Sequence, residues 1–167
     1  RLWSEEMQQR LVEHRQPQIV VSDITDLILE AIIWGSRIQD LPLLTKPSIA
    51  QIEYGTNLLN SLGAIDNDGV CTKKGKEIAR LGCQLGLANL LVSYATVNQS
   101  SASLACIVVA VVEGKPIAEM RSSVFISQHI EFLLNQPKHP LWREARRWAR
   151  KISIAVALFA LLVTIFF

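Results

Sequence analysis

Residues 143–151, REARRWARK, carry five positive charges and one negative, and Trp142 and Trp148 are interleaved with them. Arginines in such a run can hold phosphates by charge and hydrogen bonding, and indole rings can stack on exposed bases. Arg143, Arg146, Arg147, Arg150 and Lys151 are therefore the first candidate ligands for a nucleic-acid backbone. The same spacing also describes an amphipathic helix with Trp142, Ala145, Ala149 and Ile152 turned inward and the arginines in water. The pattern does not choose between the two. A second basic group, Lys73, Lys74 and Lys76, reads either as a phosphate contact or as the solvated face of a short helix.

Other chemistry finds little support. There is no P-loop, GxGxxG, HExxH or GxSxG pattern. His14, His129 and His139 are far apart in sequence, and Cys71, Cys83 and Cys106 form no CxxC pair. Neither a zinc site nor a disulfide framework is expected, and reduced, intracellular cysteines are. Glu5 with Glu6 suits a helix start, and Asp66 with Asp68 suits a turn. Neither pair reads as an acid/base couple, and this stretch by itself is not expected to catalyse a reaction.

The 167 residues are half apolar, with a net charge of +2 and 8 Gly and 6 Pro. This is a globular composition that favours helices over many short strands. Without the basic run, 12 basic and 14 acidic side chains remain, so a uniformly basic nucleic-acid-binding domain is not indicated.

The elements that must position the candidates follow from periodicity and punctuation. Residues 4–14 open as a helix on Ser4 and meet Pro17. Residues 22–35 read as a helix capped by Ser22 or Asp23. Ile24, Leu27, Ile28, Ala31 and Ile32 form its inner face, and Gly35 follows its end. Residues 36–47, with Pro42 and Pro47, read as an extended connector. Ser48 and Gln51 make a capping box for a helix that ends at Gly63, with Ile49, Ile52, Leu59 and Leu62 inward. The turn DNDG then joins Ala64–Ile65 to Val70–Cys71 in a small hairpin, and Thr72 caps a third helix. Gly63, Gly69 and Gly75 suit cap, turn and close-packing positions.

The expected fold is mainly α: a winged helix of three helices with a small β-hairpin, followed by a helical bundle. Residues 1–17 form a lead-in, 18–81 the winged helix and 82–167 the bundle, which includes the apolar stretches LGLANLLVSYATV and SASLACIVVAVVEG. The last sixteen residues, ISIAVALFALLVTIFF, read as a buried helix or a membrane anchor, and are shorter than the ~20 residues a span needs.

Several blocks in order carry a family resemblance: RLWS, ITDLILEAIIWG, LLTKPS, LLNSLGAIDNDGVCTKKGKEIARLG and WREARRWAR. Together they resemble the helicase-associated region of DEAH-box helicases, in particular the HrpB-type ATP-dependent RNA helicases. The similarity covers roughly residues 1–152, and LGAIDNDGVCTKKGKEIA is its most specific part. It implies a piece of a longer protein whose RecA-like domains, preceding this stretch, bind ATP and Mg. Residues 1–3 would end the second RecA-like domain, the winged helix would pack on those domains, and the bundle would contribute to an RNA channel. Gln18 stands where the family has a glutamate, and Gly86 where an arginine is common, so contacts at those positions do not carry over. The HrpB type also continues into a PDR segment, whereas this sequence stops at Phe167.

The function expected is a non-catalytic C-terminal part of an RNA helicase, coupling RecA-like movement to nucleic-acid translocation in the cytoplasm. Its partners would be the RecA-like domains and single-stranded RNA. Self-association through exposed apolar surface is expected, and a membrane partner is not. Two rivals are a tail-anchored membrane protein and a free-standing winged-helix DNA-binding regulator. The second wants a basic recognition helix, yet residues 48–62 contain Glu53 and no Lys or Arg.

Overall fold

The computed structural model describes residues 3–10, 16–120 and 123–152. His14 and the tail 153–167, with its two readings, lie outside them. Among the described residues the fold is mainly helical: α1 (Glu5–Arg10), α2 (Gln18–Val21), α3 (Thr25–Ile33), α4 (Ile49–Ser61), α5 (Lys73–Leu81), α6 (Leu85–Ala95), α7 (Gln99–Glu113), α8 (Ile126–Leu134) and α9 (Leu141–Lys151).

Local chemistry sets most of the helix starts. Ser48 accepts from the Gln51 backbone N–H at 3.2 Å, and the Gln51 side chain accepts from the Ser48 N–H at 3.0 Å. The Gln51 amide also donates to the Ile19 and Val20 carbonyls, which ties α2 to the start of α4. Thr72 receives the Gly75 N–H at 3.0 Å and starts α5, and Asn98 receives the Ser101 N–H at 2.8 Å and starts α7. Asp23, two residues ahead of α3, accepts from the Thr25 N–H at 2.8 Å.

The expected hairpin is reduced to a single antiparallel bridge between Ile65 and Cys71, closed by Asp66, which accepts from the Asp68 and Val70 N–H groups. Its packing depends on Gly75. A Cβ there would lie 2.1 Å from the Ala64 carbonyl oxygen and 2.9 Å from Cys71 Sγ. Gly55 has the same role where α4 crosses α3, since a Cβ would sit 2.6 Å from Ile28 Cδ1.

The buried side chains form one cluster running from Ile24 to Ala149, on both sides of Gly82. α7 is its axle and packs against α6, α8 and α9. Small residues on α7 (Ala102, Ala105, Cys106 and Ala110) allow that close approach. The inner faces differ from expectation at three points. Leu27 and Ile49 are exposed, and Leu29 is buried. α3 meets α4 at Thr25, Ile28 and Gly55, which rotates its buried face toward Leu29. The connector after α3 is not wholly extended, because Ile38–Asp40 forms a 3₁₀ turn that buries Ile38.

Burial pushes the Cys106 thiol up to about 12, and the half-buried Cys71 and Cys83 are also raised by burial. Thiolate is the reactive form. Iodoacetamide at pH 8 is therefore expected to label Cys71 and Cys83 slowly and to spare Cys106 until urea unfolds the chain. Mass spectrometry reads this directly, and native labelling of Cys106 at the rate of the others would show that the core is open.

Candidate nucleic-acid interface

α9 is built to hold arginines outward. Leu141, Trp142, Ala145, Trp148 and Ala149 are buried along one side, while Arg143, Arg146, Arg147 and Arg150 are exposed. Pro140 starts the helix, Glu144 lies in its first turn, and Arg150 and Lys151 lie in its last, as the helix dipole favours. Trp142 Nε1 donates to the Gln136 carbonyl at 3.0 Å, which fixes the indole from its polar end. Truncating either tryptophan would cost about 3–5 kcal/mol. Both rings are buried and α9 is amphipathic, with Trp148 at the edge of the groove beside α9.

The exposed arginines are not equivalent. An open groove of about 980 Å³ runs between α9 and residues 113–119, and Arg143, Arg147 and Arg150 line it while Arg146 does not. Arg147 Nη1 lies 3.5 Å from Glu144 Oε2, with both side chains largely in solvent. Such a pair is worth under about 1 kcal/mol and gives way readily to a stronger anion. Among the described residues no carboxylate pairs with Arg143, Arg146 or Arg150.

Lys151, exposed like the arginines, also makes contacts within the fold. Its Nζ donates to the Leu81 carbonyl at 2.6 Å and lies 4.4 Å from the Trp148 ring centroid. It thus ties the end of α9 to the end of α5, where Gly82 takes the left-handed conformation (φ 63°) that leaves that carbonyl without a helical partner. Lys74 is not a wet lysine, because its Nζ donates to the Leu62 carbonyl at the end of α4 at 2.8 Å. Both lysines cap helix C-termini, where cations are favoured. Lys73 and Lys76 are exposed. The sequence gives no sign of either cap, since each depends on a helix brought in by the tertiary fold.

A smaller, acidic groove opens on the other side of Gly82, lined by Asp26, Glu30, Cys83 and Glu113. Burial, with Asp23 and Glu30 nearby, pushes the Asp26 carboxyl up. Among the described residues no group of His, Cys, Asp and Glu could hold a metal ion, and no helix is long and apolar enough to cross a membrane.

No family model matches the chain. In sequence it is 29% identical over 116 residues to the ATP-dependent RNA helicase HrpB of Escherichia coli (strain K12), an overlap of 69% of this chain. In structure, a crystal structure of the E. coli DExH-box NTPase HrpB superposes over 91% of this chain with a TM-score of 0.73 at 22% identity. A crystal structure of the Escherichia coli DEAH/RHA helicase HrpB gives 0.71 over 90% at 24%. The chain is HrpB-like in sequence and in fold. It spans 14% of the length of HrpB, and 18% of each crystallised chain. The two superpositions speak for the fold, and the mainly helical architecture of this chain is that of the corresponding part of HrpB.

Proposed function

We propose that this chain is the non-catalytic C-terminal region of an HrpB-type ATP-dependent RNA helicase, and that its α9 arginines hold the backbone of a single RNA strand. On this reading residues 18–81 are a winged helix that packs on RecA-like domains elsewhere in the polypeptide. Those domains would bind ATP and Mg, and residues from 82 onward would start a bundle that couples their movement to translocation in the cytoplasm. Arg143, Arg147 and Arg150 would contact phosphates, and Lys73 and Lys76 would add long-range charge. The observation that carries the reading is an arginine row anchored by two buried tryptophans, in a chain similar to HrpB over most of its length.

A salt series tests it. Binding of the chain to generic single-stranded RNA is expected to be weak and to fall with salt, with a slope of log K on log salt near −2 for about three phosphates. Absence of binding at low salt would reduce this region to a packing module.

A further inference from the structure

Residues 18–81 and 82–152 share one buried cluster, but their helices pack together chiefly where α5 meets α6. The joint is Gly82, which lines both open grooves, of about 980 and about 390 Å³. Space on either side leaves room for the last turn of α5 to shift. Lys151 closes the joint from α9, its Nζ donating to the Leu81 carbonyl at 2.6 Å across 70 positions of sequence. The same ammonium lies 4.4 Å from the Trp148 ring centroid. A phosphate oxygen brings a full charge, and is a stronger acceptor for this donor than a neutral carbonyl. Lys151 is exposed and lines the larger groove with Arg143, Arg147 and Arg150. Among the described residues no carboxylate pairs with it. A phosphate held by those arginines therefore competes with Leu81 for one ammonium on a flexible stem.

We infer that Lys151 is a latch on the joint at Gly82, and that a nucleic-acid phosphate in the α9 groove draws its ammonium off the Leu81 carbonyl. Filling the groove then frees the last turn of α5, while the shared core keeps the two halves together. The inference rests on the reading that α9 binds RNA phosphates, and it adds how an occupied groove is felt in residues 18–81. Linkage makes the effect reciprocal: whatever presses α5 onto Lys151 weakens the hold on RNA.

Amide hydrogen exchange of the whole chain, read by mass spectrometry with and without generic single-stranded RNA at low salt, tests it. Lys151→Met keeps an apolar stem over Trp148 and removes the donor. Without RNA it is expected to exchange roughly fivefold faster than the parent over residues 79–83. Lys138→Met, an exposed lysine outside the groove, should stay within about twofold of the parent. Circular dichroism checks that both variants stay folded. In the parent, saturating RNA is expected to slow exchange in α9 and to speed it roughly threefold over residues 79–83. Stabilisation by a ligand slows exchange, so this split marks a released latch. RNA should add no further acceleration in Lys151→Met. Parent-like exchange in Lys151→Met, or RNA that binds by fluorescence anisotropy yet slows both segments, would overturn the latch while phosphate binding by α9 still stood. No RNA binding by the unaltered chain would overturn the function on which the release rests, and the inference with it.

Discussion

With Arg143, Arg147 and Arg150 all changed to Gln, affinity for single-stranded RNA is expected to drop roughly a hundredfold at low ionic strength, and its salt dependence to flatten. The drop follows from where the charges sit. Three guanidinium groups face one groove, and among the described residues only Arg147 has a carboxylate pair, Glu144 at 3.5 Å in solvent. Little competes with an incoming phosphate. The fold should be indifferent, because α9 is held by Leu141, Trp142, Ala145, Trp148 and Ala149, none of which is altered. The melting temperature should therefore stay within about 1 °C of the parent, as surface changes away from packing usually do. Unchanged RNA affinity in the triple variant, with the melting temperature intact, would move the nucleic-acid contact off α9 altogether.

Gly75→Ala is expected to destabilise the chain by about 3 kcal/mol, because overpacking against backbone leaves no side chain to move aside. The added methyl would meet the Ala64 carbonyl oxygen at 2.1 Å, so either the bridge Ile65–Cys71 opens or α5 shifts outward. At this chain length such a loss lowers the melting temperature by roughly 10 °C. Gly86→Ala is the matched control. Its new Cβ meets nothing within 4 Å, and it lies inside α6, where alanine is favoured over glycine by up to ~1 kcal/mol. Thermal melts of the two variants should move in opposite directions. Equal, small shifts would show that the hairpin yields without cost.

What the sequence revealed and what it hid divide along a physical line. The Ser48–Gln51 box, the Thr72 cap and the turn at Asp66 are legible because each is closed by residues a few positions apart. The close-packing role of Gly75 is legible from its place just after a turn and a cap. The outward face of Leu27 and Ile49 is not, because which flank of α3 and α4 meets a neighbour is decided at Gly55, where the two helices cross. The basic candidates show the same division. Lys74 and Lys151 look like their neighbours in sequence, but each reaches the carbonyl end of another helix, 12 and 70 positions away. The tryptophans belong to the core rather than the surface because α7 packs against α9, a contact between helices far apart in sequence.

Those tryptophans also divide the chain optically. Trp142 and Trp148 are 3% and 7% exposed, whereas Trp3 and Trp34 are 47% and 81% exposed, and these are all four in the sequence. Intrinsic emission is therefore a sum of a blue, shielded population confined to α9 and a red, quencher-accessible population near the other end of the chain. Acrylamide quenching separates the two without a label. Because Trp148 also borders the groove, the shielded band reports both whether α9 is docked and whether its groove is filled.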